Sequence, residues 1–265
     1  MGHLLWYNGT IKSERIDIMG KLQNKKEAFR SLVEEVSKCH VCAQMVTLPH
    51  LGGGECLEND DHGLNTDTPY INLWNLWQGN LDADILVIGQ DYGQKEHSPD
   101  FDRRYGDDSN PTDKNLKELF QSVLKINPDE KKEPLFFTNM ANCYRKNSTS
   151  GAIHDGCISI CANKFMARLI RIVEPKIIIV LGRRAFDAMF CLEGLPLKCT
   201  PNPNGLKTDT FEAMLQAFYQ LEVNGKTIDV FPVYHPGFYS QKNRSMDLQK
   251  MDWERIAKCY QAKKV

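Results

Sequence analysis

Four short apolar runs, each closed by polar or turn-forming residues, set the rhythm of this chain: Asp84 to Ile88 before Gly89, Leu135 to Asn139, Lys176 to Leu181 (KIIIVL), and Ile228 to Tyr234. Their length and punctuation predict buried strands. Stretches with helical spacing alternate with them: Leu22 to Lys38, with Phe29, Leu32, Val33 and Val36 on one side, then Asn115 to Leu124, Cys161 to Val173 and Arg183 to Phe190. Strand and helix in alternation predict an α/β fold, a three-layer αβα sandwich around a central, mainly parallel four-stranded sheet. Thr47 to Gly79, rich in Gly, Asn, Asp and His around Trp74 and Trp77, and Lys198 to Leu206, rich in Pro and Asn, read as loops, the latter followed by a further short helix. One domain over residues 1–265 is expected, with insertions near 51–80 and 192–225.

Composition narrows the class. With 265 residues, 42% hydrophobic and 25% charged, the chain is long enough to bury a full core. A formal net charge of -1 provides no global field for nucleic acid, so DNA binding would need a local basic surface. Nine cysteines without a secretory signal point to a reducing compartment, where clustered thiols hold metal more often than they form disulfides. The first twenty residues have no apolar core of signal-peptide length, and no run approaches the roughly 18 apolar residues of a membrane span. A soluble cytoplasmic monomer with no membrane contact and no obligate protein partner is the expectation.

Candidate chemistry sits at the strand ends. Open α/β sheets bind ligands beyond the carboxyl ends of their strands, which is where Gln90 and Asp91, Asn139 and His235 fall. Singly, each is an ordinary cap or turn former; together, on three different strands, they predict one converging pocket. The G-Q-D-Y-G segment lacks the spacing of a phosphate-binding loop, which weighs against a nucleotide-binding protein. Cys39 and Cys42 form C-H-V-C directly after the first helix, and Cys143 and Cys161 follow downstream, with Cys157 one helical turn before Cys161 as a rival ligand. Four thiolates suit an iron-sulfur cluster or zinc.

Six ordered elements then resemble the uracil-DNA glycosylase superfamily, nearest its iron-sulfur, family 4 members. They are Cys39 and Cys42, Gly89 to Gly93, Thr138 to Cys143, Cys161, the run Pro175 to Gly182, and His235-Pro236. The resemblance implies a monofunctional glycosylase that flips a base out of single- or double-stranded DNA and hydrolyses its N-glycosidic bond. It also implies a structural [4Fe-4S] cluster on Cys39, Cys42, Cys143 and Cys161, with zinc as the alternative. Asp91 would place water and stabilise the sugar cation, His235 would donate to the pyrimidine O2, assisted at that oxygen by the backbone of Gln90 and Asp91, and Asn139 would pair with the base edge. Phe101 and Tyr105 are candidates to stack on the base, Tyr105 being preferred. Phe238, Tyr239, Ser240, Lys242 and Arg244 would face DNA, the rings as a wedge and the cations as phosphate contacts.

Two departures bear on the substrate. The classical enzymes carry Tyr two places after the catalytic Asp, against the thymine methyl; here that place is Gly93, preceded by Tyr92. An open C5 side predicts uracil or a 5-substituted pyrimidine, including the hypermodified cytosine of phage DNA in an antiphage defence role. A non-catalytic iron-sulfur DNA-binding protein is the competing expectation.

Overall fold

All four apolar runs are strands, and their order places their carboxyl ends side by side. The computed structural model describes residues 23–36, 38–41, 57–58, 77–91, 110–130, 133–142, 144–145, 153, 155–200 and 210–264. Numbered along the chain, β2 (Ile85–Gly89), β3 (Leu135–Asn139), β5 (Ile177–Leu181) and β8 (Lys226–Val233) run parallel in the order β3-β2-β5-β8. Every residue of β2, β3 and β5 is buried, because helices cover both sheet faces.

Alternate residues of each strand feed two cores. Leu86, Ile88, Phe136, Ile178 and Val180 point toward the 23–36 helix, the helices Asp155–Cys161 and Ala167–Val173, and the Arg183–Ala188 helix. Ile85, Val87, Leu135, Phe137, Ile177 and Ile179 meet Leu116, Leu119 and Phe120 of the Pro111–Leu119 helix and its continuation, and Trp253, Ile256 and Tyr260 of the Met246–Lys263 helix. The three-layer αβα expectation is therefore met.

The sheet has six strands where four were expected. β7 (Phe218–Val223) pairs antiparallel with β8, and β6 (Lys198–Thr200) pairs antiparallel with β7. β7 alternates exposed and buried residues, and the β7-β8 hairpin turns on Asn224 (φ 50°) and Gly225 (φ 76°). An Asn-Gly pair suits such a turn because both central residues need positive φ. The strand at Lys198 replaces the start of a predicted loop, an edge supported only by its ladder to β7. The helix predicted from Cys161 begins at Asp155 and widens through a π turn at Ala162–Met166. β1 (Leu57–Glu58) and β4 (Tyr144–Arg145) form a separate antiparallel pair. Among the described residues, no helix is long and apolar enough to cross a membrane.

Candidate functional site

Strand register fixes the floor of the site. Gly89 pairs with Asn139 across β2 and β3, Ile88 pairs with Val180, and Leu181 pairs with Val233. Gly89, Asn139, Leu181 and Val233 therefore end their strands at one level, and the residues just beyond them share one sheet edge. From β3 to β8 that edge spans three strand spacings, about 14 Å at about 4.8 Å each, a width suited to a nucleobase and its sugar.

On the β3 side, Asn139 is 6% exposed and lies against Gly89. A Cβ added at Gly89 would come within 2.2 Å of the Asn139 Oδ1, so only glycine there admits the observed carboxamide position. The chain beyond both strands is held by backbone bonds from the Met140 N–H to the Gly89 carbonyl (2.8 Å) and from the Ala141 N–H to the Gln90 carbonyl (2.9 Å). Asp91 emerges half-buried from this crossover, and the Gln90 carboxamide donates to its Oδ2 at 2.7 Å. Gln90 thus orients the carboxylate.

On the β8 side, His235 follows Val233 by two residues. Its Nδ1 accepts the Gly237 N–H at 3.1 Å. An acceptor at Nδ1 leaves the proton of a neutral ring on Nε2, which makes Nε2–H a donor. Burial lowers the His235 pKa, opposed by the negative charge of Asp91, so the ring is neutral near pH 7. Asp91 and His235, far apart in sequence, both follow the carboxyl ends of parallel strands, β2 and β8, in one sheet.

Residues outside the converging set also hold this turn. Asn115 donates from Nδ2 to the Pro236 carbonyl at 2.7 Å. Gly182, at φ 90°, lets the chain leave β5 beside the His235 Cβ and donates to the Val233 carbonyl at 2.8 Å. A Cβ at Gly237 would meet His235 Nδ1 at 2.9 Å and Thr112 Oγ1 at 3.1 Å.

Immediately beyond, the short helix Phe238–Gln241 presents Phe238 and Tyr239, 60% and 73% exposed, edge to face at 5.6 Å. Lys242 Nζ lies 5.6 and 5.8 Å from the two rings, and Ser240 is partly exposed beside them. Two large exposed rings next to an enclosed imidazole are a surface meant to be covered. Arg244, expected as a phosphate contact, forks onto Asp252 through Nε and a terminal nitrogen at 2.9 and 2.6 Å. Tyr92, Gly93, Phe101 and Tyr105 lie outside the described residues.

The thiols gather at the carboxyl end of the first helix. Cys39 is tied to that helix by its N–H to the Val36 carbonyl (3.0 Å) and packs against the core that contains Cys157 and Cys161. Burial pushes the Cys161 thiol up to about 12, eased by the Asn142 backbone N–H and reinforced by the nearness of Cys39 and Cys157. Among the described residues, no three His, Cys, Asp or Glu side chains could hold a metal by themselves. Cys42 and Cys143 lie outside those residues, but each follows directly on a described neighbour, at 41 and at 142. The described thiols have the chemistry a thiolate centre uses: soft ligands, a backbone N–H on one sulfur, and a largely apolar surround.

Residues 76–258 match the Uracil DNA glycosylase superfamily. A Type-4 uracil-DNA glycosylase of Saccharolobus solfataricus is 25% identical over 159 residues, covering 60% of this chain and 63% of the relative. A Type-4 uracil-DNA glycosylase of Sulfurisphaera tokodaii is also 25% identical over 159 residues, covering 60% and 62%. The matched region thus spans a little less than two thirds of either relative.

Proposed function

The chain belongs to the uracil DNA glycosylase superfamily, and from that membership we propose that it hydrolyses the N-glycosidic bond of a base flipped out of DNA, leaving an abasic site. The observation that carries this reading is the hydrogen bond that the His235 Nδ1 accepts from the Gly237 N–H at 3.1 Å. With Nδ1 occupied by the Gly237 N–H and burial favouring the neutral ring, the proton sits on Nε2, which is then a donor. Such a donor suits a pyrimidine O2 as the base departs with its electron pair, because a hydrogen bond to developing charge strengthens along the reaction.

The other residues take complementary parts. Asp91, oriented by Gln90, stabilises the cationic character that grows on the deoxyribose and holds the attacking water on the side away from the leaving base. Asn139 offers an acceptor and a donor in one plane to the base edge. Phe238 and Tyr239 fill the gap left in the stack, and Lys242 adds a phosphate contact. Phe101 or Tyr105 supplies the ring that stacks on the extruded base. Cys39, Cys42, Cys143 and Cys161 would hold a [4Fe-4S] cluster, or zinc, which when bound cross-links the first helix to the segment after β3.

Uracil is the substrate we assign first, since both curated relatives are named for it. Gly93, in the position where a bulky ring would exclude a C5 substituent, supports a wider range that reaches 5-substituted pyrimidines and the modified cytosines of phage DNA. The purified protein should be incubated with duplex and single-stranded DNA carrying uracil, thymine mismatches or glucosylated hydroxymethylcytosine, and abasic sites scored. Abasic sites at uracil alone remove the wider range. No abasic sites on any substrate, with DNA binding retained, favour a non-catalytic DNA-binding protein.

A further inference from the structure

Four side chains from three separate segments meet around Tyr234, the residue before His235. Tyr234 donates its hydroxyl to Glu212 of the Phe211–Gln216 helix, and the Phe211 ring meets it edge-on at 5.0 Å. The Arg244 guanidinium lies 6.0 Å from the Tyr234 ring centre while it forks onto Asp252 of the Met246–Lys263 helix. Arg244 and Asp252 side chains are 20% and 9% exposed, so this ion pair is largely withdrawn from water. Gln249, from the same helix, donates to the Arg244 carbonyl at 3.0 Å. The Tyr234 hydrogen bond holds the Glu212 carboxyl below its ordinary range, and burial with that carboxylate pushes the Tyr234 phenol up to about 12. The link therefore persists across neutral pH.

Tyr234 and Arg244 bracket residues 235–243, the stretch that contains the imidazole and both exposed rings. Anchoring its two ends to each other and to two helices limits how that stretch can move. We propose that Glu212, Tyr234, Arg244 and Asp252 form a brace that positions His235 and the Phe238-Tyr239 wedge, so that Arg244 is a positioning residue and not a phosphate ligand. The brace gives a role to the 192–225 insertion, which contributes Glu212. For its rate readout the inference rests on the proposed base excision; its binding and spectroscopic readouts do not.

The test uses the full chain with Arg244→Lys, Arg244→Gln, Asp252→Asn, their double variant R244Q/D252N, and Tyr234→Phe. Single-turnover excision from uracil duplex, the salt dependence of binding to an undamaged duplex, and the His235 imidazole resonances are measured for each. A bidentate fork cannot be replaced by a point charge. The brace therefore predicts a ten- to hundredfold slower excision step in R244K, R244Q and D252N, with the double variant no slower than the worse single. The slope of log K against log salt should match the wild type throughout, and the His235 resonances should shift. Tyr234→Phe removes only the bond to Glu212 and should give a milder loss of the same kind, which keeps the brace testable if an Arg244 variant fails to fold. Wild-type excision by R244K, with a salt slope reduced by about one in R244Q, would make Arg244 a phosphate ligand and overturn the brace. If the wild type excises nothing, the proposed reaction fails. Unmoved His235 resonances in R244Q and D252N would then overturn the brace separately.

Discussion

Replacing Gly89 with alanine adds one carbon to the chain and should disable base recognition while leaving the fold in place. The new Cβ would sit 2.2 Å from the Asn139 Oδ1, far inside van der Waals contact, and 3.4 Å from its Cγ. The backbone of β2 cannot retreat, since it is laddered to β3 and β5 on either side. Asn139 must therefore rotate its carboxamide away. An off-rotamer side chain costs about 1 kcal/mol, which lowers the melting temperature by about 3 °C in a domain of this size. The functional loss is larger. Two hydrogen bonds to the base edge, each worth about 1 kcal/mol, correspond to about a thirtyfold fall in kcat/KM. Single-turnover excision and thermal unfolding on Gly89→Ala and Asn139→Ala separate the two effects. The reasoning requires G89A to approach N139A in rate with a small change in stability. A G89A protein as fast as wild type would refute the close approach of Gly89 and Asn139 as the basis of recognition.

Gly237→Ala should push the His235 ring off its Nδ1 bond, since the added carbon would lie 2.9 Å from that nitrogen; a tenfold or greater loss in kcat with little change in KM checks it. His235 also makes stability depend on pH. Its folded pKa is depressed below the ordinary 6.5, so beneath that pH the unfolded chain takes up a proton that the folded chain refuses. Stability is full above about pH 6.5 and falls as the pH drops toward the folded pKa, and urea unfolding midpoints of His235→Gln should lack this part of the slope. Removing both exposed rings (F238A/Y239A) should weaken DNA binding and excision together, by about tenfold or more, with the unfolding midpoint unchanged, as gel-shift and rate assays can show. Cys39→Ser and Cys161→Ser should each lose bound iron and brown colour on anaerobic purification, and iron analysis of the purified variants tests this.

The strands that place the site were legible because each is buried on both faces and reads as an unbroken apolar run, as in ILVI before Gly89 and KIIIVL before Gly182. From such runs the polar residues at their carboxyl ends follow directly, which is why Gln90, Asp91, Asn139 and His235 could be named together. β7 escapes the buried-run pattern because F-Y-Q-L-E-V alternates exposed and buried residues, as a strand with one face in water should. The Met246–Lys263 helix was missed as well. Its buried face is only Gln249, Trp253, Ile256 and Tyr260, diluted among charges. What the sequence could not convey is side-chain commitment. Lys242 and Arg244 look alike as basic residues after an aromatic pair, yet one stands beside exposed rings and the other is claimed by Asp252 across eight residues. The glycines at 89 and 237 likewise acquire meaning only once the atoms facing them are known.

The most direct measurement is a single-turnover time course on a labelled duplex containing one uracil, with wild type, Asp91→Asn and His235→Ala run in parallel and abasic sites revealed by alkaline cleavage. The account predicts cleavage by the wild type and a loss of a hundredfold or more in each variant, with duplex binding retained. Equal rates in all three proteins would contradict the assignment of Asp91 and His235, and no cleavage by the wild type would contradict the reaction itself.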